Sequence, residues 1–364
     1  MKYKKILGII GLTVVALSTL GVWLYQPAPK ISVVMSTYNR GTHLIKAIDS
    51  ILTQTEPDFE FIIINDGSTD STKRILAAFA RKDKRIKVLD NDGNKGLIYS
   101  LNRGLDVAKG KYIARMDDDD VSLPTRFERQ LMFMEANPDI AVVGTWIGRP
   151  DNGNAWPFQQ ETDPDAVKID MYMNNVPIAH PASFVRRDFI EKHGIRYNAK
   201  YVAAEDRKFW LDILDAGGNI VNIPEVLLLF RIHGTNPMEY YVNQAKNKKL
   251  FWIDEIFPRF DIEKTNNFSN CQILEQMLEE NKKKKILNQN ILEKKIQNTC
   301  KIEKVSHRLW KDAFVFEKNR VCRQKFPKEC AKVISKTKDN LVIQWDKWGE
   351  EKFIRKKDEW HLSQ

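Results

Sequence analysis

From Ile31 onward the chain alternates short apolar runs with amphipathic stretches. Residues 31–36 form a short, mainly apolar run after Pro27 and Pro29, which predicts a buried strand running into a loop at Thr37-Tyr38-Asn39-Arg40-Gly41. Leu44, Ile45, Ile48, Ile51 and Leu52 then recur at helical spacing over 43–54, and Pro57-Asp58 breaks that helix. Residues 59–64 predict a second strand, which closes in Asn65-Asp66-Gly67-Ser68-Thr69-Asp70. Asp70 is positioned to N-cap a helix carrying Ile75, Leu76 and Phe79. A third strand over 86–89, a helix over 97–108, a fourth strand over 111–116, a helix over 124–135 and a strand over 140–145 continue the alternation. Repeated βα units predict an α/β domain with a mostly parallel central sheet and helices on both faces.

After Gly144 the pattern loosens. Asp151-Asn152-Gly153-Asn154 is turn chemistry, Asp163-Pro164 opens a helix running to Met173, and His180 to Arg186 reads as extended. Glu205 to Leu214 reads as a helix stopped by Gly217-Gly218, and 226–233 as a last apolar strand. Beyond Tyr240 the chain is rich in Lys and Asn, with Ile273, Leu274, Met277 and Leu278 at helical spacing. Around Asp346-Lys347-Trp348-Gly349 apolar and polar residues alternate as in a β-hairpin. At the other end, residues 6–25 are twenty positions without a charge, enough to cross a bilayer as a helix, and they finish in Trp23-Leu24-Tyr25 like an interfacial belt. Three parts are expected: an anchor over 1–29, a catalytic domain over 30–238, and a basic, mainly helical region over 239–364 with a terminal hairpin. Lys2, Lys4 and Lys5 lean toward a cytoplasmic N-terminus for a single-pass membrane protein.

Charge sharpens this division. The formal net charge is +10, yet residues 239–364 hold 28 Lys and Arg against 19 Asp and Glu, which leaves 30 against 29 before them. The basic excess therefore belongs to the tail, as a solvated face or as a surface for anionic lipid or a polyanionic glycan; no nucleic-acid partner is expected. Cys271, Cys300, Cys322 and Cys330 all lie in the tail without zinc-ligand spacing, and both free thiols and disulfides are open.

The candidate chemistry centres on Asp117-Asp118-Asp119-Asp120, which closes the fourth strand. Four adjacent carboxylates repel one another unless a cation sits among them, although an acidic run can also be a solvated turn. Strand alternation would point Asp117 and Asp119 one way and Asp118 and Asp120 the other, so that one acid could take a sugar hydroxyl and another a Mg²⁺ or Mn²⁺ ion bridging phosphates. Ser36, Tyr38 and Asp66 also end strands. Tyr38 offers a ring for stacking, and a carboxylate can accept an imide N–H of a base.

Taken in order, Ser36-Thr37-Tyr38-Asn39-Arg40, Asn65-Asp66-Gly67-Ser68-Thr69-Asp70, Gly110-Lys111-Tyr112-Ile113-Ala114 leading into the acids, and Glu205-Asp206 with Trp210 resemble the family 2 glycosyltransferases of the GT-A fold, across residues 30–234. The resemblance implies an inverting transfer from a nucleotide-diphosphate sugar, with a uridine diphosphate sugar favoured, to a hydroxyl of a glycan or glycolipid. It implies donor contacts from Ser36, Tyr38, Asn39, Arg40, Asp66 and Asp117. A Mn²⁺ or Mg²⁺ ion would be bound by Asp119, with His233 a second candidate ligand, and Asp206 would be the base beside Glu205. His180 and Trp210 are expected on the acceptor side. Asn65 departs from the family's first acid at that motif. A helix N-terminus satisfied by acids is the blander account of Glu205 and Asp206. Two other functions compete. A sugar-nucleotide pyrophosphorylase would carry a Gly-rich loop with a Lys after the first strand, which is missing, and a non-catalytic binding or assembly subunit would not need Asp117, Asp119 and Asp206 together.

Overall fold

The computed structural model describes residues 28–149, 158–173, 175, 177–231, 251–262, 270–297 and 300, with the backbone of six strands between 314 and 362. The chain divides into two compact units, one ending at Lys264 and one running from Thr265 to Gln364. The expected membrane span over 6–25 lies outside the described residues. Among those described, no helix is long and apolar enough to cross a membrane.

In the first unit β1 (Ile31–Thr37), β2 (Phe59–Asn65), β3 (Ile86–Asp90) and β4 (Tyr112–Met116) pair in parallel in the order β3-β2-β1-β4. Helices α1 (Gly41–Leu52), α2 (Thr72–Lys82) and α3 (Leu97–Val107) connect them. β2 is buried along its whole length, as expected for strands that are apolar on both faces.

The rest of the sheet corrects the expectation of a mostly parallel one. β7 (Phe184–Arg186) runs antiparallel to both β4 and β6 (Ile140–Gly148), while β8 (Asn219–Leu229) is parallel to β6 and antiparallel to the two-residue β5 (Val121–Ser122). The eight strands make one mixed sheet in the order β3-β2-β1-β4-β7-β6-β8-β5. α4 (Arg126–Ala136), α5 (Pro164–Tyr172), α6 (Arg187–Lys192) and α7 (Glu205–Asp215) complete the unit. Asp163 caps α5 as its sequence predicts, accepting from the Ala166 N–H at 2.9 Å. Asp70 does not cap α2. Its carboxylate takes the N–H groups of Thr72 and, across to the first loop, of Gly41.

This unit extends beyond the boundary expected at residue 238. Phe251, Ile256, Phe257 and Phe260 are buried, the Phe260 ring meets Tyr172 edge-on at 5.8 Å, and Arg259 pairs with Asp215 at the end of α7.

In the second unit α8 (Asn270–Lys284) is helical as expected. Six strands follow, β9 (Phe314–Glu317), β10 (Arg320–Arg323), β11 (Phe326–Lys336), β12 (Asn340–Trp345), β13 (Gly349–Lys356) and β14 (Glu359–Leu362), in an antiparallel meander. The expected hairpin is the β12–β13 pair. The mainly helical character expected for this region does not hold, because these six strands follow α8. Cys322 and Cys330 stand opposite each other in the β10–β11 register, and Cys300 is disulfide-bonded.

Candidate active site

The carboxyl ends of β1, β2 and β4 bring three loops together. In the first, Asn39 adopts a left-handed backbone (φ 52°), and its side chain accepts from the Thr69 N–H at 2.9 Å. The N–H groups of Asn39 and Arg40 donate in turn to Ser68 Oγ and Thr72 Oγ1. The β1 and β2 loops are thereby tied into one rigid rim. Tyr38 stands on this rim with 43% of its surface exposed, open to a flat ligand, whereas Ser36 lies half-buried within β1.

Asp66 is more enclosed than its sequence position indicates. Its two oxygens accept from Asn91 Nδ2 at 2.7 Å, the Lys95 N–H at 2.8 Å and the Gly96 N–H at 2.8 Å. It is therefore buried and held from the loop after β3, whose residues the motif order did not single out; the turn-rich run Asn91-Asp92-Gly93-Asn94-Lys95-Gly96 was the available signal. The two loops touch at glycines. Gly67 has φ +73°, and a Cβ there would lie 2.3 Å from the Gly93 carbonyl carbon.

The acid run begins where β4 ends, and it bends instead of continuing extended. Side-chain alternation therefore does not apply. Asp120 turns to the same side as Asp117 and Asp119, with one carboxylate oxygen from each lying within 4.8 Å of the others. Asp118 lies outside that group and faces Arg40, whose guanidinium also reaches Asp119. Asp117 is ion-paired to Arg115, a guanidinium buried in the apolar surround of Val34, Leu101, Ile113, Tyr197 and Phe209. Asp120 is fully buried. Its Oδ1 accepts the Arg231 N–H at 2.9 Å, while its Oδ2 has no hydrogen-bond partner. Arg231 Nε donates to the Asp119 carbonyl, so the end of β8 clasps the run from outside. Beneath it, buried Arg126 donates to the carbonyls of Arg115 and Ser183, and Gln130 to that of Ala182.

Burial and neighbouring acids set the charges here. Burial first, and then Asp119 and Asp117, push Asp118 up to about 7, while burial and Asp117 push Asp120 up to about 8. A divalent cation among Asp117, Asp119 and Asp120 would relieve the mutual repulsion of these acids. The donor set is all hard oxygen, with one buried oxygen lacking a partner, and it fits Mg²⁺ or Mn²⁺.

Glu205 and Asp206 open α7 after Ala203 in a left-handed turn (φ 62°). Asp206 Oδ1 accepts the Arg207 N–H at 2.8 Å, so part of its role is to satisfy a helix end. Burial, and then the charge of Asp206, push Glu205 up to about 7. Asp206, Glu205 and Asp117 all act electrostatically on the Tyr197 phenol, which puts the acid run and the start of α7 around one residue. Tyr197 in turn bonds His180 Nε2 at 2.7 Å, and Trp210 packs edge-on against His180 at 5.8 Å. His180 and Trp210, expected on the acceptor side, are both buried. Burial and then Arg115 hold the His180 imidazole well below its ordinary range, so it is neutral. His233 lies outside the described residues.

The Glycosyl transferase family 2 model matches residues 32–194. An uncharacterized glycosyltransferase of Haemophilus influenzae is 33% identical over 237 residues, spanning 61% of this chain and 71% of its own. The O-antigen biosynthesis glycosyltransferase WbnJ of Escherichia coli is 38% identical over 208 residues, spanning 56% and 80%. Among solved structures, S. aureus TarS 1-349 in complex with UDP-GlcNAc superposes with a TM-score of 0.53 at 18% identity, covering 69% of this chain and 71% of that one. The mannosyltransferase PcManGT of Pyrobaculum calidifontis, in complex with GDP-Man and Mn2+, gives 0.50 at 14%, covering 83% and 91%. By its sequence this chain belongs to glycosyl transferase family 2 and is a glycosyltransferase.

Proposed function

We propose that this glycosyltransferase is metal-dependent and inverting, and moves a sugar from a UDP-sugar to a hydroxyl of a glycan or glycolipid in surface polysaccharide or glycoconjugate synthesis. The observation that carries this reading is the convergence of Asp117, Asp119 and Asp120 at the end of β4. It stands on a rigid rim that presents Tyr38, and on the far side the acids of α7 approach the same Tyr197.

Tyr38 stacks on the base. Asp66, already holding the loop after β3, shapes the edge of the base pocket and leaves its lone pairs little room for a further donor. Asp117, fixed by Arg115, accepts from a ribose hydroxyl. Asp119 and Asp120, with Asp117 near by, would hold Mn²⁺ or Mg²⁺. When bound, that ion supplies charge stabilisation to the departing diphosphate. Asp206 takes the proton of the acceptor hydroxyl as its oxygen bonds the anomeric carbon and the nucleoside diphosphate departs from the opposite face of the sugar, and Glu205 beside it is the alternative base, since a carboxyl titrating near 7 suits that task. Residues 6–25 anchor the enzyme at the membrane where a lipid-linked or surface acceptor is found.

The test is a panel of nucleotide sugars scored for nucleotide release with Mn²⁺, with Mg²⁺ and with excess chelator. Release from a uridine diphosphate sugar that chelator abolishes is expected. Undiminished release in chelator would remove the metal from the mechanism.

A further inference from the structure

Arg40 has contacts that its place in the motif order does not foretell. Its Nε lies 3.5 Å from Asp118 Oδ1 and its Nη2 lies 3.5 Å from Asp119 Oδ2. The guanidinium thus bridges two members of the acid run, one of which is a candidate cation ligand. The backbone beneath it is fixed by the Ser68 and Thr72 hydroxyls and by the left-handed turn at Asn39. Its side chain is 40% exposed, so the charged end can change rotamer while the loop stays in place.

A divalent cation among Asp117, Asp119 and Asp120 draws on the same negative charge as this guanidinium, and two positive centres sharing one carboxylate repel each other. A nucleoside diphosphate offers the displaced group an alternative. Its phosphate oxygens match the planar, two-pronged donor face of arginine, which is more weakly hydrated than an ammonium and binds such oxygens in pairs.

We propose that Arg40 is an exchangeable counter-ion of the acid run: it pairs with Asp118 and Asp119, yields to a divalent cation, and carries its hydrogen bonds to the diphosphate of the donor, coupling cation binding to nucleotide binding. The proposal rests on the metal-dependent reading above. Its consequence is a linkage with a definite sign. Removing Arg40 favours the cation when no nucleotide is present, and it weakens the mutual reinforcement between cation and nucleotide, because the group that gains a new partner only when both are bound is gone.

The experiment is a Mn²⁺ titration of the full chain followed by the electron paramagnetic resonance signal of free Mn²⁺, without and with saturating UDP, on wild type, Arg40→Gln and Arg40→Lys. Without UDP, Arg40→Gln should bind Mn²⁺ about 2- to 5-fold more tightly than wild type, the worth of a partly exposed ion pair. The factor by which UDP tightens Mn²⁺ binding should be smaller in Arg40→Gln than in wild type by a similar ratio. Arg40→Lys, which keeps the charge but not the fork, should resemble wild type in Mn²⁺ affinity and Arg40→Gln in its response to UDP. Unchanged or weaker Mn²⁺ binding by Arg40→Gln, or an undiminished UDP effect, overturns the exchange and leaves the metal site standing. Absence of Mn²⁺ binding by wild type and variant alike, with or without UDP, overturns the metal-dependent reading and this proposal together.

Discussion

Glu205 gives the most direct test of the electrostatics of the site. Its carboxyl titrates at about 7 in the fold, against about 4.3 for an unrestrained glutamate, because it is buried and because Asp206 is its neighbour. Between those two values the folded chain keeps a proton that the unfolded chain releases, so stability falls as pH rises through that window and is level above it. At roughly 1.4 kcal/mol per pH unit, the ionised carboxylate costs the fold about 4 kcal/mol at pH 8. Glu205→Gln keeps the shape and removes the charge. Below about pH 4, where both states are protonated, wild type and variant should agree to within about 0.5 kcal/mol. At pH 8 the variant should be more stable by up to about 4 kcal/mol, a shift in urea midpoint of roughly 1–2 M. Urea unfolding at the two pH values in one buffer system measures this. An equal gap at both pH values, or a variant less stable at pH 8, would refute the claim that burial rather than a missed partner raises this group.

Asp206→Asn cannot take a proton, so transfer should fall by roughly two to four orders of magnitude while UDP binding stays as it was. The same substitution removes one of the two main causes that raise Glu205, so any residual rate should have its pH dependence displaced to lower pH. Near wild-type transfer by Asp206→Asn would move the base to Glu205. Asp119→Asn should abolish most Mn²⁺-dependent nucleotide release and leave the circular dichroism spectrum unchanged; full activity would remove Asp119 from the cation site. Gly67→Ala forces a Cβ into the Gly93 backbone and strains a left-handed residue, which should cost about 1–3 kcal/mol and weaken UDP binding through the displaced loop. A Gly67→Ala protein with unaltered urea midpoint and UDP affinity would show that the two loops do not need that contact.

Much of the first unit was legible because its strands carry their burial in their composition. Val33 to Met35 and Phe61 to Ile64 form unbroken apolar runs, and such runs belong to strands enclosed on both sides. β5 could not be read from Val121-Ser122, since two residues have no periodicity, and the reversed direction of β7 depends on which neighbours its three residues meet. The acid run was located by its charge and misjudged in geometry, because the bend after Met116 removes the alternation of a strand. His180 and Trp210 look like functional side chains in a sequence. Their burial comes from packing with Tyr197 and Phe209, contacts between residues that sequence spacing does not bring together. The donors to Asp66 are largely backbone N–H groups, which no residue type announces.

The clasp of Arg231 on Asp120 joins positions 111 residues apart. During synthesis every element from β1 to α7 can leave the ribosome before this hydrogen bond is possible. Until β8 arrives, the buried Asp120 carboxyl has neither that donor nor the strand that covers it. The pocket is therefore a late product of folding, and a nascent chain stalled before β8 should expose the acid run to solvent and to whatever cations or chaperones meet it first. An acid run closed by the last described strand of its unit is also a checkpoint: a chain that has not yet made this strand has no enclosed site.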